Sequence, residues 1–451
     1  MDRAFLEKMS KEELIEFSLV IWNLLEKTQA ELNEAKRPRK NSGNSSRPPS
    51  TDKKAGGTLK SGKVGGKVGH KGYHFQPLTE VDSQVTIPLS DCPHCQLDLG
   101  DQEVLQTRIH QVIGIEIRRV VTNYLQEGKY CGGCGQVVFS GLPDGVEKTH
   151  YDSSIRSLAA YMNNYHHLSH PRLIELFSDL ADIKLSKGTV NSILSISPAL
   201  LEEFNIYLRG LLQKSDLLGI DETSFRVAVM NFWLWVFQNR CFSYFYFDPH
   251  RSSEVLKEVI GEYFDGTLLS DFYSAYNRLQ ARRKQKCNAH LLRELAYIVE
   301  CEVPSKPYIT EIFKLLLEAK EFKEKYAPYK PEQLQDEIGE FKDRLKALCE
   351  RSLPTQYQEA IRIQKRLINH QNEILTFLEI AEVPFDNNTS EQAIRAAVVH
   401  RKVIQCFRTI HGANNYARWL SLIQTLRKQK IQVFPAITRL FKGSVPLIQW
   451  N

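Results

Sequence analysis

Ile220-Asp221-Glu222-Thr223-Ser224-Phe225-Arg226-Val227 follows the apolar pair Leu217-Leu218 and precedes an aromatic block running from Phe232 to Phe247. The pattern predicts a central strand over 217–227 that delivers a carboxylate, followed by strands over 231–238 and 241–247. Short polar connectors join these, as in an antiparallel meander. A helix over Ser252–Tyr263 then leads to Gly266-Thr267-Leu268-Leu269-Ser270, an apolar run ending in Asp271. A helical crossover of this kind makes the next strand parallel to an earlier one.

Three antiparallel strands, a helix and a parallel strand match the ribonuclease-H-like order. In that order the first and fourth strands are neighbours, so Asp221 and Asp271 approach each other. A third carboxylate is needed to hold two divalent ions, and Glu391 is the candidate, on a helix opened by Asp386-Asn387-Asn388-Thr389. Glu391 could instead close a capping box with Asn388. Positions 391, 395, 398 and 402 share a helical face, which sets Arg395 and Lys402 beside Glu391. There Arg395 either pairs with Glu391 or holds a DNA phosphate, and Arg401 and Lys402 are further expected DNA contacts. Two Mg²⁺ or Mn²⁺ ions roughly 3.5–4 Å apart activate an attacking oxygen and stabilise a leaving one, and hard carboxylate oxygens suit them. Glu222 faces away from Asp221 by the strand's period of two.

Between Asp271 and Glu391, residues 307–378 are rich in Lys, Glu and Leu and read as an all-α insertion. Cys287 and His290 precede it as a lone C-x-x-H, read as packing at a helix start because no partner pair lies nearby.

A chain of 451 residues with 42% hydrophobic and 25% charged residues is too long for one core. The formal charge is only +6, yet residues 36–71 hold eleven Lys or Arg against the single acid Asp52, a local net of +10. That stretch has almost no apolar side chains and reads as a flexible basic linker whose cations, Lys53 and Lys54 among them, track phosphates. No apolar run is long enough to span a bilayer, and the N-terminus is too charged for a signal peptide, so a cytoplasmic protein without a membrane partner is expected.

Cys92-Pro93-His94-Cys95 and Cys131-Gly132-Gly133-Cys134 lie 35 residues apart. Two such knuckles offer four thiolates, a closed tetrahedral site for structural Zn²⁺ with ligands Cys92, Cys95, Cys131 and Cys134. The alternation from Val104 to Tyr124 suggests a β-hairpin between them. Leu14, Phe17, Ile21, Leu24, Leu25 and Leu32 mark an amphipathic helix, either a short coiled coil between subunits or a helix packed on its own chain. Helices near 154–166 and 171–181, with a turn, a Ser cap and a short helix over 185–194, outline a helix-turn-helix in which Lys187 would face DNA.

The fold class expected is multidomain α+β: an N-terminal helix (1–35), basic linker (36–73), zinc-binding domain (74–148), helical helix-turn-helix-like domain (149–210), the ribonuclease-H-like α/β core (211–300), its helical insertion (301–380), the core's last helix (381–430) and a C-terminal tail (431–451).

The sequence resembles transposases of the bacterial insertion-sequence-66 family, of DDE type. The likeness rests on Asn44-Ser45-Ser46-Arg47-Pro48-Pro49-Ser50, Gly69-His70-Lys71-Gly72, both cysteine knuckles, Asp221-Glu222-Thr223, Asp271 with Tyr273, Ala275 and Tyr276, Cys287 with His290, and Asp386-Asn387-Asn388 with Glu391, then Arg401-Lys402. It implies that Asp221, Asp271 and Glu391 are the catalytic triad and bind Mg²⁺. It also implies that the substrates are element ends and target DNA, joined by strand cleavage and transfer. A homo-oligomer on DNA and accessory proteins of the same element are implied partners. A catalytically inactive DNA-binding descendant, or a nuclease on the same fold, are the alternatives. The sequence departs from the family pattern at Gln392, His400 and the single Gly412; no presumed metal ligand is affected.

Overall fold

Residues 10–36, 40, 41, 45, 72, 75–328, 330–445 and 448 are described by the computed structural model. Most of the basic linker, with Lys53 and Lys54, lies outside them. The chain divides into two units, one of 1–53, 123–179 and 183–451, the other of 54–122 and 180–182. No described helix is long and apolar enough to cross a membrane.

Helix α1 (Lys11–Lys36) starts from a reciprocal cap. The Glu13 amide donates to Ser10 Oγ at 3.2 Å and the Ser10 amide to the Glu13 carboxylate at 2.8 Å. Ile15, Leu19 and Trp22 on this helix are exposed.

In the smaller unit the Cys92 knuckle is closed by backbone bonds from Cys92 N to Leu97 O and Gln96 N to Cys92 O. Val104–Tyr124, expected as a hairpin, contains no strand. The hairpin forms instead in the larger unit, where β1 (Gly128–Cys131) pairs antiparallel with β2 (Gln136–Phe139). Gly135 takes φ +69° in the connecting turn, a conformation that glycine adopts without strain. Alternation alone does not make a strand; a turn that brings a partner into register does.

Helices α2 (Ser153–Asn164), α3 (His170–Ala181) and α4 (Lys187–Leu212) follow. Asp152 caps α2 by accepting from the amides of Ser154 and Ile155, and Ser186 caps α4 by accepting from Thr189 N at 3.0 Å. The short helix expected after Ser186 is 26 residues long. Its apolar stripe continues through Leu201, Phe204 and Leu208, all fully buried, so nothing stops it at Leu194.

The central sheet has β3 (Leu217–Val227), β4 (Met230–Gln238), β5 (Ser243–Asp248), β6 (Tyr263–Ser270) and β7 (Gln280–Lys286) in the order β5-β4-β3-β6-β7. Helix α5 (Ser253–Ile260) makes the crossover that lets β6 run parallel to β3, and α6 (Ser274–Arg278) precedes β7, parallel to β6. Both faces of the sheet are covered. Leu218, Ile220, Trp235 and Phe237 pack with α2–α5, whereas Phe225, Leu234, Val236 and Phe245 face a second cluster. Double burial explains the unbroken apolar run of β4. The strand β7, QARRKQK, escaped the pattern reading because a charged edge strand lacks the apolar alternation that marks a buried one.

The insertion is helical: α7 (Asn288–Cys301), α8 (Lys306–Tyr326), α9 (Gln335–Glu350), α10 (Gln358–Asn369), α11 (Gln371–Ile374) and α12 (Thr376–Glu379) surround their own apolar cluster. The Glu302 carboxylate accepts from the first amides of α10, Glu359 and Ala360, at 3.1 Å each. Helices α13 (Asn388–Ile404) and α14 (Ile410–Lys428) then return to the sheet, where α14 meets β5 through Ser421 and Thr425. The residues from 431 are not simply a tail. Helix α15 (Val433–Phe441) buries Val433, Ala436, Ile437, Leu440 and Phe441, a stripe at helical spacing.

Candidate active site

Asp221 lies on β3 and Glu391 in the first turn of α13, and one tight contact brings these elements together. A Cβ on Gly219 would sit 2.6 Å from Ser390 Oγ and 3.0 Å from Asn387 Oδ1, so only glycine lets the helix start approach the strand this closely. Asn387 Nδ2 donates to Ile220 O at 2.8 Å, Ser390 Oγ donates to Asn387 Oδ1 at 2.6 Å, and Gln238 Nε2 donates to Ser390 Oγ and to Thr389 Oγ1. These buried bonds set the register of Glu391 against Asp221. Asp271 follows the last residue of β6, the parallel neighbour of β3, and its Oδ1 accepts from Tyr273 N at 2.8 Å.

Burial pushes the Asp221 carboxyl well above the usual carboxylate range, and the negative charges of Glu222, Asp271 and Glu391 push it further. Three neighbouring acids thus act on Asp221, and a divalent cation among them would relieve that repulsion. The donors of Asp221, Asp271 and Glu391 are hard oxygens, the ligand class that suits Mg²⁺ or Mn²⁺. Glu222, on the face opposite Asp221, is only 2% exposed and is raised by burial. It accepts from Arg251 Nε at 2.7 Å and from the Tyr276 hydroxyl. The Arg251 guanidinium lies 3.9 Å from the Tyr273 ring centroid and 4.6 Å from that of Trp233. On β7, buried Lys286 donates to Asn277 Oδ1 at 2.9 Å and to Asp271 O at 3.2 Å, and burial lowers its ammonium to about 8.

Glu391 is not a capping residue. The N-cap of α13 is Asn387, and Asn388 N bonds to Asp386 Oδ1. The Glu391 carboxylate turns to His290 Nδ1 at 3.6 Å and Arg293 at 3.5 Å. Ligand atoms of Cys287, His290 and Glu391 lie within 4.8 Å of one another, and Glu391 Oε1 and His290 Nδ1 are buried without a hydrogen-bond partner. The C-x-x-H read as local packing thus meets Glu391, about a hundred residues on. Cys287 is buried at the start of α7, accepts from Asn387 N at 3.2 Å and is pushed up to about 11 by burial.

A family model described as Transposase IS66 family matches residues 148–415, a span that holds the sheet, the insertion and all three carboxylates. This chain belongs to that family. No curated protein matches it. Membership implies a transposition-related, DNA-processing enzyme in general.

A cavity of about 620 Å³ opens at Asp271 and is lined by Arg251, Tyr273, Tyr297, Arg362 and Arg366 among others. Its arginines have acids: Arg251 pairs with Glu222, Arg293 with Glu391, and Arg362 and Arg366 with Glu294. Of the residues expected to touch DNA, Lys187 is exposed in the first turn of α4 and Lys402 is exposed on α13. Arg401 is tied to β3, donating to Thr223 Oγ1 at 3.1 Å and to Ser224 O, with its guanidinium over Phe225. Arg395 does not stand beside the Glu391 carboxylate. It shares a face with Gln392, Ala396 and Val399 and lines a separate cleft. Each knuckle cysteine that starts its turn, Cys92 and Cys131, has a thiol lowered by backbone hydrogen bonds from its own turn.

Proposed function

We propose that this chain is a DDE transposase that binds the ends of its own element and carries out Mg²⁺-dependent DNA cleavage and strand transfer on a ribonuclease-H-like core. What supports the reading most is the convergence of Asp221 from β3, Asp271 from the end of β6 and Glu391 from α13, close enough for the latter two to raise the Asp221 carboxyl. Asp221, Asp271 and Glu391 would hold the divalent ions, which when bound activate the attacking oxygen and stabilise the leaving oxygen of an in-line displacement. In cleavage a water oxygen forms the new bond to phosphorus and the 3′ oxygen departs as a free hydroxyl. In transfer that 3′-hydroxyl attacks a target phosphodiester and another 3′ oxygen leaves, so both steps are phosphoryl transfers at one site.

The chain's own groups prepare that site. Gly219 and Asn387 fix the approach of α13, and the Arg251–Glu222–Tyr276 network holds Tyr273 and the Asp271 turn. His290 and Arg293 restrain the Glu391 carboxylate. Purified protein with Mg²⁺ is expected to nick DNA carrying the element's ends, and Asp221→Asn to abolish nicking while DNA binding is kept. Cleavage at the wild-type rate in that variant would remove Asp221 from the mechanism, and binding without cleavage in the wild type under both Mg²⁺ and Mn²⁺ would favour an inactive DNA-binding descendant.

The proposal includes structural Zn²⁺ held by Cys92, Cys95, Cys131 and Cys134, where thiolates would form a closed site that serves folding. Elemental analysis should find stoichiometric zinc in the wild type and lose it in Cys131→Ser. It also includes DNA contacts by Lys53, Lys54, Lys187 and Lys402, a homo-oligomer on paired ends, and accessory proteins of the element.

A further inference from the structure

A second cleft, of about 700 Å³, shares no lining residue with the cavity at Asp271. Four cations line it against one acid, Glu382: Arg240 in the β4–β5 turn, Arg395 on α13, and Arg427 and Lys428 at the end of α14. Among the described residues none of the four is within 4.0 Å of a carboxylate. Arg427 lies 4.8 Å from the Tyr165 ring centroid, and Lys428 donates to Asn239 O at 2.5 Å and to Phe242 O at 3.2 Å. The rest of the lining is polar and uncharged at Gln238, Asn239, Thr389, Gln392 and Gln424 and apolar at Leu217, Leu269, Pro384, Ala393, Ala396 and Val399.

Cations in the last turn of a helix can be placed there by its dipole, which accounts for Arg427 and Lys428 on α14. It does not account for Arg395, in the middle of α13, or for Arg240, in a turn. Three exposed guanidinium groups from three separate elements around one cleft, none paired with an acid among the described residues, form a concentrated positive field. The arginines that line the cavity at Asp271, by contrast, carry their own acids. An unneutralised set costs the fold some repulsion and is matched by an anionic polymer.

We propose that this cleft is a second DNA-backbone site, in which Arg240, Arg395 and Arg427 bind successive phosphates of a duplex held apart from the strand being cut. The inference rests on the DNA-processing reading of the chain but not on its cleavage chemistry, and it is tested without cleavage. Full-length protein is titrated with a fluorescent random-sequence duplex in EDTA over a range of salt. The triple variant Arg240→Ala, Arg395→Ala, Arg427→Ala is expected to lower the slope of log K against log salt by about two to three, one phosphate contact per cation removed. The corresponding triple Lys variant should restore the slope, which a loss of local structure would not allow. An unchanged slope in the Ala triple overturns the inference. So does calorimetric binding of inorganic phosphate that the Ala triple loses while the duplex slope stays the same, since the cleft would then be a small-anion site. Failure of the wild type to cut DNA in Mg²⁺ would sink the catalytic proposal and leave this measurement standing.

Discussion

The cavity at Asp271 and the cleft at Arg395 are both rich in arginine, and they differ in what the arginines touch. At Asp271 each guanidinium is shared with a glutamate, Arg251 with Glu222, Arg293 with Glu391, and Arg362 and Arg366 with Glu294. Around Arg395 four cations line one cleft with amides, apolar side chains and a single acid, and no described carboxylate pairs with any of them. A paired arginine holds geometry, because breaking a half-buried pair strands a charge. An unpaired one at an open rim offers long-range attraction that salt screens. One region is therefore built for position and the other for attraction, within a single chain.

Gly219 breaks that comparison most severely, because it lines the second cleft yet sets the helix that carries Glu391. Gly219→Ala is expected to displace α13, cost about 1–3 kcal/mol of stability as overpacking, and reduce cleavage strongly, while duplex binding in EDTA falls by no more than the one contact of Arg395, which α13 also carries. Thermal melts read against cleavage rates check this, and equal losses in binding and cleavage would contradict the division of labour.

A smaller effect is expected from Glu294→Gln, which leaves Arg366 without its acid while Arg362 keeps Glu359. If pairing is what silences the first cavity's arginines, the salt slope of duplex binding should steepen by roughly one. A slope that stays flat would mean that Arg366 cannot reach phosphate even when free.

The smallest effect concerns the buried side of α13. His400 is 4% exposed, stacks on Tyr416 with ring centroids 4.2 Å apart, and is lowered to about 3, chiefly by burial and then by the charge of His167. A base whose folded value lies below its unfolded one binds fewer protons when folded, so stability rises with pH across that interval. The melting temperature should fall as pH drops from about 6.5 toward 3, and His400→Gln should flatten that part of the profile. A mutant profile that keeps the wild-type slope would place the acid sensitivity elsewhere, for instance at His167 or His170, both also lowered by burial.

Legibility in the sequence tracked how local each signal was. The strands 217–227 and 230–238, the crossover helix and the parallel run to Asp271 were readable because burial on both faces writes itself as dense apolar runs. The all-α insertion was equally clear from its Lys, Glu and Leu content. The edge strand β7 was not, because its pairing comes from β6 and its sequence is mostly charged. Nor was the length of α4, whose second half is held by core contacts beyond the cap and turn that marked its start.

By itself, then, the sequence determined the order of most core elements and the family, because periodicity, caps and motif spacing act over a few residues. Only the tertiary structure decided that Glu391 meets His290 and Arg293 rather than its own helix cap, that Arg395 turns to another cleft, and that the arginines of one cavity are neutralised while those of the other are not. Each of these depends on side chains brought together across the fold, as Asn387 is to Ile220 over 167 positions, and such contacts are set by how helices and sheet pack rather than by any local pattern.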